Sequence, residues 1–316
     1  MSEAFKLATV SSAGSPPFVA LVMDDRALSL DRALQLWGAG SPRRRQLRAP
    51  SMLDLLGDWE ANFTVLQEFV AFAAGEGLNS DFWRGASAPL ATLAFLAPVP
   101  RPPKMLYAAI NYPRPGRQGR EEVPPGARPN MFEKSSSAVI GPYDDVLKPE
   151  GYDKIDWEVE LALVIGTRAK AIPEARALDC VAGFLTANDV TVRDFRKPGE
   201  LTVPGPDWFG SKCHDTFAPL GPYIVPRAFV RDCHDLRLTL KVNGETRQDA
   251  STREMIFSPE EQVSHVSRQL TLEPGDIIST GTPNGIGMQL GFFLKVGDVM
   301  EAEVEGLGAQ RNRLVA

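Results

Sequence analysis

The chain has 316 residues, of which 43% are hydrophobic and 23% charged, a balance that excludes a wholly disordered polymer. Its net charge of −6 comes without any basic stripe beyond short clusters such as Arg43–Arg45, which argues against a nucleic-acid partner. Its three cysteines, Cys180, Cys213 and Cys233, show no Cys-x-x-Cys spacing and point to a reducing compartment.

No apolar run approaches the roughly 20 residues needed to cross a bilayer, and Glu3 and Lys6 interrupt the start, so no signal peptide or membrane partner is expected. The expected location is the cytoplasm. Residues 5–10 and 18–23 read as short strands, and Asp24-Asp25 as a turn between strands. A helical repeat follows from Ser51, as N-cap, to Gly75. Pro98, Pro100, Pro102 and Pro103 form a stiff connector, which divides the chain into a small α/β domain, 1–98, and a larger one, 104–316.

Beyond this connector the signal is mostly β. Strands are predicted at 105–110, 157–165, 183–187, 236–242, 276–280 and 298–304, punctuated by turns such as Asn243-Gly244 and Pro274-Gly275-Asp276. One clear helix, 259–270, opens with Ser258 as N-cap and Glu261 three residues on. The fold class is therefore α+β, mostly β, with a rolled mixed sheet or barrel in place of alternating βαβ units. The proline- and glycine-rich stretch from Pro113 to Pro129 reads as a loop.

The most informative segment is Asp156-Trp157-Glu158-Val159-Glu160-Leu161-Ala162-Leu163-Val164-Ile165. It has the apolar density of a strand buried on both faces. Residues two apart share a face, so Glu158 and Glu160 stand roughly 6–7 Å apart along it. A solvated face is the ordinary fate of such a pair. A second apolar strand, however, ends on an acid at Asn188-Asp189, and like charges entering a core call for a cation or a proton. Three carboxylates without clustered His or Cys suit a hard ion: Mg²⁺, Mn²⁺ or Ca²⁺ rather than Zn²⁺.

These segments, with Asn188-Asp189-Val190-Thr191-Val192-Arg193, Val242-Asn243-Gly244-Glu245 and Thr280-Gly281-Thr282-Pro283-Asn284-Gly285-Ile286-Gly287 in order after them, resemble the fumarylacetoacetate hydrolase family. Asn111-Tyr112, Phe132-x-Lys134, Ile140-Gly141-Pro142 and the closing Gly306-Leu307-Gly308 extend the likeness over residues 104–316. The resemblance implies a rolled β fold around octahedral Mg²⁺ or Mn²⁺, commonly in homodimers, and chemistry on 1,3-dicarbonyl or 2-oxo acids. It implies Glu158, Glu160 and Asp189 as metal ligands and Lys212 beside a substrate oxygen. Arg193 would support the metal aspartate, and the loop carrying Gly281 and Thr282 would bind substrate, with Tyr112 a further candidate. Such a metal would polarise a carbonyl and stabilise the departing enolate.

The pattern fails at one point. Family members often carry Asn-Tyr-x-x-His-x-x-Glu, a lid dyad that activates water, where this chain reads Asn111-Tyr112-Pro113-Arg114-Pro115-Gly116-Arg117-Gln118. Three readings follow: Glu121 or Glu122 replaces the base, the reaction needs no activated water, or catalysis is lost and a ligand pocket kept. The leading expectation is hydrolysis of a C–C bond in an acylpyruvate- or fumarylpyruvate-like acid. Decarboxylation, isomerisation and silent binding are the alternatives. Arg114, Arg117 and Arg120 read as solvated charge or as carboxylate captors. Cys213 reads as a packed side chain rather than a nucleophile. In a strand, His214 would share a face with Lys212.

Overall fold

The computed structural model describes residues 4–37, 49–76, 81–114, 123–195 and 207–316. At the N-terminus, β1 (Lys6–Ser11), β2 (Phe18–Met23) and β3 (Arg26–Ser29) form an antiparallel sheet flanked by two-residue strands at Ala88–Pro89 and Ala94–Phe95. The turn expected at Asp24-Asp25 is present, with Asp24 at φ 51°. Ser29 ends β3 and caps α1 (Leu30–Leu36), accepting from Arg32 N. The repeat predicted from Ser51 divides into α2 (Met52–Gly57) and α3 (Trp59–Glu76). The break falls at Asp58, whose backbone leaves the helical region, and Asn62 Nδ2 donates to Leu55 O at 2.8 Å across it.

The second half is built on a six-stranded mixed sheet. Its strands are β4 (Met105–Ala109), β5 (Asn130–Glu133), β6 (Val159–Ile165), β7 (Val181–Asn188), β8 (Val225–Pro226) and β11 (Ile277–Ser279), in the order β8-β7-β6-β11-β4-β5. The pairing of β11 with β4 is parallel and the others are antiparallel. Against it rolls a five-stranded sheet of β9 (Arg237–Val242), β10 (Glu245–Ser251), β12 (Val299–Val304), β13 (Gly308–Val315) and Val146–Leu147. Among the described residues, three α-helices complete it: α4 (Trp208–Lys212), α5 (Pro259–Gln269) and α6 (Gly287–Leu290). Ser258 and Glu261 form the capping box expected for α5.

Central β6 is buried at every residue. Alternation puts Val159, Leu161, Leu163 and Ile165 on the face that meets Leu238, Leu240, Met300 and Val304 of the second sheet. Ala162 and Val164 face the other way, into a core shared with Leu7, Leu55, Leu66 and Phe69 of the N-terminal half. Glu160 lies on that second face. The halves also meet through backbone: Leu7 N donates to Ile224 O at 2.9 Å, and Ile224 N to Leu7 O at 2.8 Å.

One segment departs from the predicted continuous strand at 157–165. Ile155–Asp156 pairs instead with Thr191–Val192, and the ladder resumes only at Val159. Side chains have taken the intervening donors: Asp156 Oδ1 accepts from Trp157 N, Asn188 Oδ1 from Glu158 N, and Gln248 Oε1 from Val159 N, at 2.8, 2.9 and 3.0 Å. The kink lets Glu158 leave the sheet edge.

Leu7 is fully buried in the shared core. The variant Leu7→Ala should lose about 2–5 kcal/mol and unfold in urea as one transition at a lower midpoint. A separate early transition would show that the two halves unfold independently.

Candidate metal and substrate site

Glu158, Glu160 and Asp189 converge where β6 begins and β7 ends. One oxygen from each lies within 4.8 Å of the others, and all three residues are buried. Each is held by a different device. Glu160 Oε2 accepts from Gly281 N at 2.9 Å and from Ser279 Oγ. Asp189 Oδ1 accepts from Lys134 Nζ at 2.6 Å, and its Oδ2 from Lys212 Nζ. Glu158 Oε2 accepts from Lys212 Nζ at 2.7 Å, and its Oε1 from Arg193. Arg193 Nε also donates to Asp156 Oδ2 at 2.7 Å. Asp156 in turn accepts from the backbone N–H groups of Gly287 and Met288 at the start of α6.

The structure gathers the residues singled out from sequence, with some reassignment. Arg193, expected on the metal aspartate, reaches Glu158 and Asp156, and Lys134 and Lys212 hold Asp189. Lys212 lies in the last turn of α4, so a shared strand face with His214 does not arise. His214 turns to Gly210 O and packs on Tyr152 and Phe217. Gly281, expected in a substrate-binding loop, donates its N–H to Glu160. Its φ of 93°, with a would-be Cβ 2.8 Å from the Asn111 Cβ, admits only glycine. Thr282 Oγ1 donates to Val159 O at 2.9 Å and accepts from Gln248. Glu121 and Glu122 lie outside the described residues.

Sequence reasoning passed over Lys134, whose fully buried ammonium donates to Asp189, Val190 O and Phe217 O. It also passed over Asp156. The signal for Asp156 was its charge between the apolar Ile155 and Trp157; Lys134, between Glu133 and Ser135, carries no such local signal.

Beside the triad opens a cavity of about 200 Å³. Ile110, Tyr112, Phe132, Trp208, Ile286 and Met288 give it an apolar wall, and Glu158, Arg193, Lys212, Arg114 and Thr282 its polar groups. The Tyr112 hydroxyl is buried and has no hydrogen-bond partner among the described residues. Burial, and then the nearby Glu160, push it well above the usual phenol range, so it stays protonated.

The charge balance fits a divalent cation. Four buried carboxylates, counting Asp156, face three cations, Lys134, Arg193 and Lys212. Burial, followed by the charges of Asp189 and Glu158, pushes Glu160 well above the carboxylate range. Burial alone would raise Asp189 too, but Lys134 and Lys212 outweigh it and hold it low. Burial opposes the charge on Lys212, and Asp189 and Glu158 reverse that. An all-oxygen set in which burial and neighbouring charges push one carboxyl upward suits a hard ion that competes with a proton for that oxygen.

The sign follows. A carboxylate with a raised folded pKa costs stability as pH climbs above its unfolded value. Added Mn²⁺ or Mg²⁺ should therefore raise the thermal midpoint, by an increment that grows from about pH 5 to pH 8. An increment independent of pH, or absent, would count against displacement of that proton. Lys134→Met removes the donor to Asp189 Oδ1, leaves Lys212 as its one cation among the described residues, and should cost about 3 kcal/mol in chemical denaturation.

Known proteins resemble this chain in sequence and in fold. The chain is 43% identical over 229 residues to the oxaloacetate tautomerase FAHD2A, mitochondrial, of Bos taurus, across 72% of this chain and 71% of that protein. Fumarylacetoacetate hydrolase from Exiguobacterium antarcticum superposes with a TM-score of 0.76 at 26% identity, over 99% of this chain and 100% of that one. Maleylpyruvate hydrolase from Sphingobium sp. SYK-6, in complex with manganese(II) ion and pyruvate, gives 0.72 at 26% identity and 98% of both chains. Residues 104–315, which carry the triad and most of the cavity wall, match the fumarylacetoacetate (FAA) hydrolase C-terminal model, and the chain belongs to that family.

Proposed function

We propose that the protein is a metal-dependent enzyme that interconverts the keto and enol forms of a short 2-oxo acid. The observation that carries this reading is the make-up of the cavity wall, which presents Glu158 of the acidic triad and the Lys212 ammonium but has no histidine. The chain has three histidines. His214 packs on Tyr152, His234 bonds Asp232 and Glu260, and His265 bonds Gln269. Hydrolysis of a C–C bond needs a base that activates water. Tautomerisation needs no activated water, only a base that moves a proton between carbon and oxygen. The tautomerase name of the Bos taurus relative agrees with the simpler demand.

Glu158, Glu160 and Asp189 would hold Mg²⁺ or Mn²⁺, which when bound supplies Lewis acidity toward the 2-oxo group. The chain's own residues do the rest. Lys212, kept protonated by Asp189 and Glu158, presents N–H donors where negative charge develops on the enolate oxygen. Arg193 fixes the outer oxygen of Glu158, and Ser279 and Gly281 fix Glu160, so the ligand set does not reorganise during the reaction. The neutral Tyr112 hydroxyl is a further donor. The apolar wall keeps water from weakening these interactions. Glu121 or Glu122 is assigned to carry the carbon-bound proton.

A second reading, hydrolysis of an acylpyruvate-like acid, draws on the end-to-end likeness to the maleylpyruvate hydrolase. Following the ultraviolet decay of enol-oxaloacetate with Mn²⁺ separates the two. The wild type should accelerate ketonisation, and Glu160→Gln should lose about 100-fold, or roughly 2.7 kcal/mol of barrier. Release of two fragments from acylpyruvates without faster ketonisation would establish the hydrolase instead. Full activity in Glu160→Gln would remove the metal from either scheme.

A further inference from the structure

Three cations stand on the cavity wall: Arg114, Arg193 and Lys212. Two are already committed. Arg193 pairs with Asp156 and Glu158, and Lys212 with Glu158 and Asp189. Arg114 has no hydrogen bond or ion pair among the described residues, and its side chain is exposed. A guanidinium in this state is ready for an incoming anion.

Its placement is built rather than incidental. Asn284 Nδ2 donates to Pro113 O at 2.8 Å, Gln289 Nε2 to Asn284 Oδ1 at 2.8 Å, and Gly285 N to Gln289 Oε1 at 2.8 Å. Asn111, on the other side, donates to Phe257 O and Thr280 O and accepts from Phe257 N. Residues 111–113 are thus tied to the same glycine-rich loop that carries Gly281 and Thr282, which fixes the backbone from which Arg114 springs. Asn284, Gln289 and Pro113 line the cavity with it.

We propose that Arg114 sets the charge selectivity of the site by receiving a second carboxylate. The substrate class is then a short dicarboxylic oxo acid, whose 2-oxo end lies toward the triad and Lys212 and whose distal carboxylate meets Arg114. This inference rests on the 2-oxo-acid reading above and adds to it the residue that recognises the far end. A cavity of about 200 Å³ has room for such a four- or five-carbon acid.

Lactate and malate differ only by the second carboxylate, and neither can tautomerise. Their affinities for the Mn²⁺-loaded protein, measured by calorimetry, therefore test recognition apart from turnover. The wild type should prefer malate. In Arg114→Ala the malate-to-lactate preference should collapse by about 10- to 100-fold, and Arg114→Lys, with one point charge in place of a fork, should fall between. Arg114 is exposed, so these variants should keep the wild-type thermal midpoint. Binding of both acids with an unchanged ratio in Arg114→Ala overturns the role of Arg114 and leaves the 2-oxo-acid reading standing. If the wild type binds neither acid, that reading falls and Arg114 with it.

Discussion

Four carboxylates enter the interior of this protein within a short stretch of space, and the surrounding structure is organised by the need to compensate them. Isolated ionised groups in a medium this dry would cost several kcal/mol each. The fold answers with Lys134, Lys212 and Arg193, with the N–H groups of Gly281, Gly287 and Met288, and with Ser279. The compensation is incomplete: burial, with the charges of Asp189 and Glu158, pushes one carboxyl, Glu160, well above the carboxylate range. That remainder is what a hard divalent ion would meet.

The same economy of donors shapes the backbone. Side-chain oxygens of Asp156, Asn188 and Gln248 take the N–H groups of Trp157, Glu158 and Val159 that a regular ladder would have used. The ladder therefore stops two residues short, and Glu158 projects from its end. A local break in β pairing and the presentation of a ligand are one event here. Residues far apart in sequence are needed for it: Gln248 on β10 serves both Val159 and, through its amide nitrogen, Thr282 on the glycine-rich loop.

Much of this was legible in the sequence where periodicity and charge acted together. The run from Val159 to Ile165 announced a doubly buried strand, and the acids at its start and at Asp189 announced a common site, because buried charge is too costly to be accidental. Ser258 and Glu261 marked their helix through a local hydrogen-bond pattern. What the sequence concealed was set by partners distant along the chain. Nothing local distinguishes Lys134 from a surface lysine until Asp189, Val190 and Phe217 surround it. Gly281 looked like a substrate-loop residue because its requirement for glycine was visible, while the packing against Asn111 that imposes it was not. The short helix of Lys212 was read as a strand because five residues are too few for a helical period to show.

The aromatic rings beneath the lysines carry a further consequence. Phe132 and Trp208 lie nearly parallel, 4.8 Å apart, and Tyr107 stacks on Phe132 at 5.7 Å. Lys212 sits over Phe132 and Lys134 over Tyr107, each 5.5 Å from the ring centre. The rings thus set the height of both ammonium groups above the carboxylates, as shims set the gap between two plates. In evolutionary terms the three aromatic positions are not free to drift separately. A smaller ring at one would lower a charge on another element, and a lineage that changes one should carry a matching change in its stack.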